Sequence, residues 1–312
     1  MSNSAATPAA IPSRQEVIDD LVASLAQTAE QVVPWFLDTM PPAYFQDTDP
    51  ATRLAHLRAI LSSQASGRPI ELTLRSPDGQ QWTSMRPKDA PGVLAELVSE
   101  LPHDRPLRAA KIHTARDGNL VLDTFEFGEP AARFDPADPK QAEAAARILA
   151  WVTENRLDYA EADLRAHIAR CEAEYLMTVT PLRFVQHLEL HQAVQGTDGA
   201  AVGLESESDP AFSRIVVAVA NATTRRMLER LARRIAFARI NVHRAYLDIL
   251  DDDEHGTVCI LGFVCQGPDG GPIDPESELW QQLRVDLLRN KWVEHRTLEL
   301  AYGSPDLGIV RA

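Results

Sequence analysis

Hydrophobic positions recur along this chain first at helical and then at strand spacing. Ser13 with Glu16 three residues on reads as a capping box. Val17, Ile18, Leu21, Val22 and Leu25 then fall on one stripe. That spacing predicts a helix to about Val33, ended by Pro34. An aromatic, Pro-rich piece follows from Pro34 to Phe45. It has two readings, packing between helices or a lid over a ligand. Asp49 and Pro50 open a second helix with Leu54, Leu57 and Leu61 inward.

Ile70 to Arg75 and Gln80 to Met85 alternate around Pro77-Asp78-Gly79, which predicts a hairpin. The break from Arg86 to Gly92 opens a helix carrying Val93, Leu94, Leu97, Val98 and Leu101. Strands Leu107 to Ala115 and Asn119 to Phe127 follow, joined at Asp117-Gly118, where Gly accepts positive φ. Asp138-Pro139 begins a helix to about Asn155. Tyr159 to Thr178 reads as another, and Thr180-Pro181 starts the next. After an extended stretch from Ala200 to Glu205 the same order returns. Arg214 to Ala220 is a strand, Thr223 caps a helix through Ile235, Ile240 to Leu250 and Thr257 to Gln266 are strands, and Pro275 to Trp292 is a helix. The repeated order predicts an α+β fold of two βαββα modules with antiparallel sheets and helices on one face.

The expected division is a tail over 1–12, a helical segment over 13–66, a first module over 67–157, a helical connector over 158–198, a second module over 199–295, and a C-terminal segment over 296–312. The ending at Asp306 to Ala312 reads as a cut through a longer protein.

Composition narrows the function classes. A net charge of −14 argues against a nucleic-acid or anionic-membrane partner. No run of about 18 apolar residues predicts a membrane span. Cys259 and Cys265 share one strand at a separation of roughly 20 Å, too far for a disulfide, so a reducing, cytoplasmic setting is expected. The first twelve residues lack the basic and apolar regions of a signal peptide.

Asp89, Pro91 and Gly92 lead into a helix, and His113, Thr114, Asp117, Gly118, Asp123, Thr124 and Phe125 lie on the strand-turn-strand after it. This pattern resembles an ACT domain, similar to those of uridylyltransferase-type nitrogen sensors. The second copy shares the element order only, with Asn221-Ala222-Thr223 at the turn. Trp35 to Phe45, Arg53 to Arg58, Ser76-Pro77-Asp78-Gly79 and Gln186 to Leu190 further resemble the N-terminal region of large NAD-dependent glutamate dehydrogenases. The resemblance runs from about Val33 to the end. It implies a ferredoxin-like fold and a regulatory, non-catalytic role beside a dehydrogenase, through amino-acid sensing or subunit contacts in a homo-oligomer. The alternative is a self-standing amino-acid-binding or assembly module of another metabolic enzyme. No G-x-G-x-x-G follows a strand, and the prolines around Gly267 to Gly271 spoil a phosphate cradle, so no cofactor is expected in this chain.

The candidate ligand site is the turn before the first module's helix. Amides at a helix N-terminus attract a carboxylate. Gly92 permits close approach, Lys88 adds positive charge, and Asp89 can take an α-ammonium. Pro91 and Val93 frame the turn, and His113 is the strand candidate. His187 and His191 stand at i, i+4, which reads as surface helix histidines or as a zinc chelate; no metal site is expected. Asp251 to Glu254 reads as a solvated turn in preference to a calcium loop. Arg226, Arg230 and Arg233 lie on a basic helix face, open to solvent or docking an acidic partner. No serine sits in a nucleophile elbow and no catalytic residue is expected.

Overall fold

The structure is a computed structural model that describes residues 14–102, 104–128, 132–252 and 256–291. They form two compact units. One runs up to Glu71 and includes Ala115–Asp117; the other takes Leu72–Thr114 and the chain from Gly118 onward.

In the first unit α1 (Arg14–Thr39) continues through Pro34, against the sequence expectation of an end at Val33. Pro34 removes one helical hydrogen bond. Phe36 in the turn beyond it and Met40 just past the helix end are both buried, and this burial favours the helix past the break. Helices α2 (Pro42–Asp47) and α3 (Pro50–Ala65) follow. Asp49 caps α3, accepting from the amides of Ala51 and Thr52. The inward residues of α3 are His56 and Ile60, whereas Leu54 is exposed. Leu57 and Leu61 are half-buried, and the Tyr44 hydroxyl lies 2.9 Å from His56 Nδ1. Phe36 meets the Tyr44 ring edge-on at 5.3 Å. The aromatic piece is therefore packing among these helices.

The second unit is α+β, with two four-stranded antiparallel sheets. Strands β1 (Leu72–Arg75) and β2 (Gln81–Arg86), helix α4 (Val93–Glu100), and strands β3 (Leu107–Thr114) and β4 (Val121–Phe127) make the first module, in sheet order β1-β2-β4-β3. The second contains β5 (Ala200–Ser206), β6 (Ser213–Ala220), α9 (Thr224–Phe237), β7 (Asn241–Asp252), β8 (Gly256–Gln266) and α10 (Glu278–Arg289), in the same order, β5-β6-β8-β7. Both inner-edge strands carry an irregularity at the same place. The register shifts between Leu107 and Ala109 in β3 and between Val242 and Arg244 in β7. Arg108 and His243 are thus matching bulge residues. The edges β3 and β7 lie side by side, and α4 packs on α9. One core joins Leu94, Leu97, Phe125 and Phe127 to Leu228, Leu231, Leu261 and Phe263.

Between the modules run α5 (Pro139–Glu154), α6 (Glu161–Arg170), α7 (Ala173–Thr178) and α8 (Pro181–Val194). Three expectations change here. The helix read over Tyr159 to Thr178 is two helices, because Cys171 and Glu172 are extended and Glu172 bridges to Arg133. The second sheet has helices on both faces. Val216, Ala218 and Ala220 of β6 pack on the α5–α8 side, while Ile215, Val217 and Val219 face α9 and α10. This is why Ile215 to Ala220 is an unbroken apolar run, buried at every position. Helix α5, grouped with the first module in the sequence reading, packs its Ala145, Ile148 and Val152 into this back layer.

Candidate functional site

The β2–α4 turn of the first module opens onto the second module. Gly92 is the N-cap of α4 with φ +104°, a left-handed conformation, and no side chain caps the helix. Of the first-turn amides, that of Val93 donates to the Ala90 carbonyl at 3.2 Å, and those after it are the place for an acceptor. Beside them Asp89 Oδ2 accepts from the Thr114 hydroxyl at 3.1 Å and from the Asn241 amide at 3.0 Å. His243 Nδ1 stands 3.9 Å from the same oxygen. Burial raises the Asp89 carboxyl above its usual range against the opposing pull of His243, and burial lowers His243.

Asp123 lies deeper, on β4. Register pairs it with Ser84 and Ile112. Phe125 and Phe127, at its alternate positions, belong to the core under α4. It is 1% exposed, and its Oδ1 has no hydrogen-bond partner. Burial first, then the charge of Asp89, raises its pKa from 3.8 to about 8, although Arg86 opposes the shift. The Asn241 side-chain oxygen also lacks a partner. The wall between the turn and the second module consists of Ala90, Leu94, Ala232, Ala236, Ile240 and Val242. The cavity among them is about 10 Å³, room for one water.

Of the residues singled out in the sequence, Asp89 and Gly92 line this cavity and Val93 begins the helix beside it. Lys88 and Pro91 are exposed on the turn. His113 is buried and pairs in register with Leu122, one step out of phase with Ile112 and Asp123, so it faces the back of the sheet. Asn241 and His243 were not legible as partners, because they come from another module. Asp123 did carry a signal: it is the one charge at alternate positions otherwise held by Val121, Phe125 and Phe127.

The mirror position of this site is closed. Each module's turn reaches the first residue of the other's inner strand, Asp89 to Asn241 in one direction and Thr224 to Leu107 in the other. Thr224 donates to the Leu107 carbonyl at 2.7 Å. The register matches Asp123 of β4 to Leu261 of β8, so the second copy has an apolar residue where the first has a carboxyl.

The left-handed turn has a measurable consequence. Gly92→Ala is expected to cost about 1–2 kcal/mol in urea denaturation, from the conformation alone. The new Cβ would meet Ala236 Cβ at 4.0 Å, an ordinary contact, so no clash adds to that cost.

The remaining candidates fall elsewhere. His187 and His191 are buried, not on the surface, because α8 is covered by β6 and the neighbouring helices. His187 Nδ1 is 2.9 Å from the Tyr175 hydroxyl, and the His191 ring lies 4.9 Å from that of His167. Among the described residues no group of three or more His, Cys, Asp or Glu is arranged to hold a metal. Cys171, Cys259 and Cys265 are free and buried. On α9, Arg226 and Arg233 are exposed; Arg233 donates to Glu229 and Arg230 to the Lys291 carbonyl. The buried cation of that helix is Arg234, paired with Asp286 of α10. The Asp251 to Glu254 run lies partly outside the described residues. No helix among the described residues is long and apolar enough to cross a membrane. Comparison of the chain with family models and with curated proteins found no match.

Proposed function

We propose that the chain is a regulatory region of two ACT-like modules, serving a large NAD-dependent glutamate dehydrogenase, and that an amino acid binds at the junction of the β2–α4 turn with β7 and α9. The observation that supports this most is the pairing at that junction of a helix start that no side chain caps with the Asp89 carboxyl. The α4 amides offer a place for the ligand's carboxylate, and Asp89 offers one for its ammonium. The cavity between them holds about one water, so an amino acid must part α4 from α9 to enter. Binding would then favour a wider junction, and an attached catalytic part that distinguishes the two arrangements would respond by population shift.

Calorimetric titration of the purified chain with the twenty amino acids at millimolar concentration tests the reading. At least one is expected to give saturable heat, and Gly92→Trp is expected to abolish it while the circular dichroism of the fold persists. Absence of heat with all twenty would leave the modules an assembly role only.

A further inference from the structure

The second sheet ends at β5 in a strand edge that nothing among the described residues covers. Strand β5 pairs with β6 over its whole length, without a bulge. One step before Ala200 and Val219 the Ala220 amide donates to the Gly199 carbonyl. That bond fixes the phase of the ladder. The amides and carbonyls of Ala201, Gly203 and Glu205 turn towards β6, and those of Ala200, Val202, Leu204 and Ser206 turn outward. Among the described residues no backbone partner meets the outward groups. The strand cannot rotate to hide them, because its two faces are held. Val202 and Leu204 pack on the core with α9 and α10, Ala201 packs on the back layer, and a side chain at Gly203 would meet Leu190 of α8. Soluble proteins guard such edges with lysine, proline, a bulge or a very short strand. Strand β1 follows that rule, with four residues ending at Arg75 and Pro77 soon after. The edges β3 and β7 lie against each other. Strand β5 has neither lysine nor proline, and its single charge is Glu205.

We propose that β5 is the interface of a homodimer, in which the β5 strands of two copies pair antiparallel about a two-fold axis at Gly203. The inference is independent of the amino-acid reading, since β5 is the edge of the second sheet away from the β3–β7 junction. The register centred on Gly203 uses the whole strand. It sets Val202 opposite Leu204 of the second copy and Ala200 opposite Ser206 of the second copy. All of these belong to the outward set, so each amide meets a carbonyl. Ala201 falls opposite Glu205 of the second copy, so the two acids do not face each other. At the axis glycine faces glycine, and no side chain separates the strands where an antiparallel pair is narrowest. The contact is isologous and closes at two copies, and it joins two four-stranded sheets into one. A strand of another protein would satisfy the same amides, but this self-complementary pattern would then serve no purpose.

Analytical ultracentrifugation of the purified chain from about 1 to about 100 µM tests this. The mass is expected to rise with concentration from 34.5 kDa to twice that value. Val202→Pro and Leu204→Pro each remove one outward amide and no bond to β6. Each is expected to weaken dimerisation roughly tenfold or more, because the two-fold axis repeats the loss. At the lowest concentration both are expected to keep the circular dichroism and the urea midpoint of the parent. Gly203→Pro, whose amide turns to Val216, is expected to lower that midpoint instead. Hydrogen exchange of the parent, read by mass spectrometry on residues 200–206, is expected to slow as concentration rises. A mass of 34.5 kDa throughout, or a dimer that both folded proline variants leave intact, overturns the proposal. So does dimerisation that leaves exchange over residues 200–206 unchanged.

Discussion

Asp123→Leu is expected to make the protein more stable, by on the order of 3 kcal/mol at pH 8.5. The substitution copies the second module, where register places Leu261 at the matching position. In the unfolded chain Asp123 ionises near 3.8, and in the folded protein near 8. Between those values the unfolded chain has given up a proton that the folded chain still holds. Stability therefore falls as pH rises through that window, by up to about 1.4 kcal/mol per unit. The full window would exceed the expected gain, because a leucine must still fit a space shaped for a carboxyl. Well below pH 3.8 both states are protonated and the gain from this linkage vanishes, and at pH 4 it is already small. Urea denaturation of the two proteins at pH 4, 6 and 8.5 checks this. Equal midpoints at pH 8.5 would mean that Asp123 is satisfied in solution.

Acid acts on the back layer in the opposite direction. His167 and His187 are buried among Ile168, Phe184, Leu188 and Val216. Neither ring nitrogen of His167 has a partner. Burial, then the rings of His191 and His187, hold His167 well below 6.5. Burial, then Arg183 and Arg214, bring His187 to about 3. As pH falls below 6.5 the unfolded chain takes up protons that the folded chain refuses, so stability falls with pH. From pH 6.5 to pH 5 the loss is up to about 1.7 kcal/mol for each ring, on the order of 3 kcal/mol for the pair. The variant His167→Leu, His187→Gln keeps an acceptor for Tyr175 and is expected to lose correspondingly less over that interval. The carboxyls Asp123 and Asp248, both raised by burial, the latter to about 7, oppose this loss in both proteins alike and drop out of the difference. Parallel pH profiles would show that water or a counter-ion reaches these rings.

These two features also mark how far local pattern carries. The first module was legible in its alternations, its Asp117-Gly118 turn and the Gly92 helix start, since each is set by residues within a few positions. The second was legible as an order of elements. The return of the bulge, at Arg108 and again at His243, emerges only from strand register. The place of α5 was not legible, because its apolar stripe fits either sheet and long-range packing chooses the second. Pro34 misled for a related reason: a local rule about helix ends was outweighed by the burial of Phe36 and Met40. At the site, Asp89 and Gly92 were legible from their turn. Asn241 and His243 were not, because more than a hundred residues separate them from it. His113 lies one step of strand phase from Ile112, which puts its side chain on the opposite face of the sheet.

The most direct test of the account is where an amino acid binds. A ¹⁵N-resolved NMR titration of the chain with each of the twenty amino acids is expected, for at least one of them, to shift the amides of Gly92, Ala236 and Val242 together and saturably, on both sides of the α4–α9 junction. Saturable shifts confined to other surfaces, or no shifts at millimolar ligand, would contradict it.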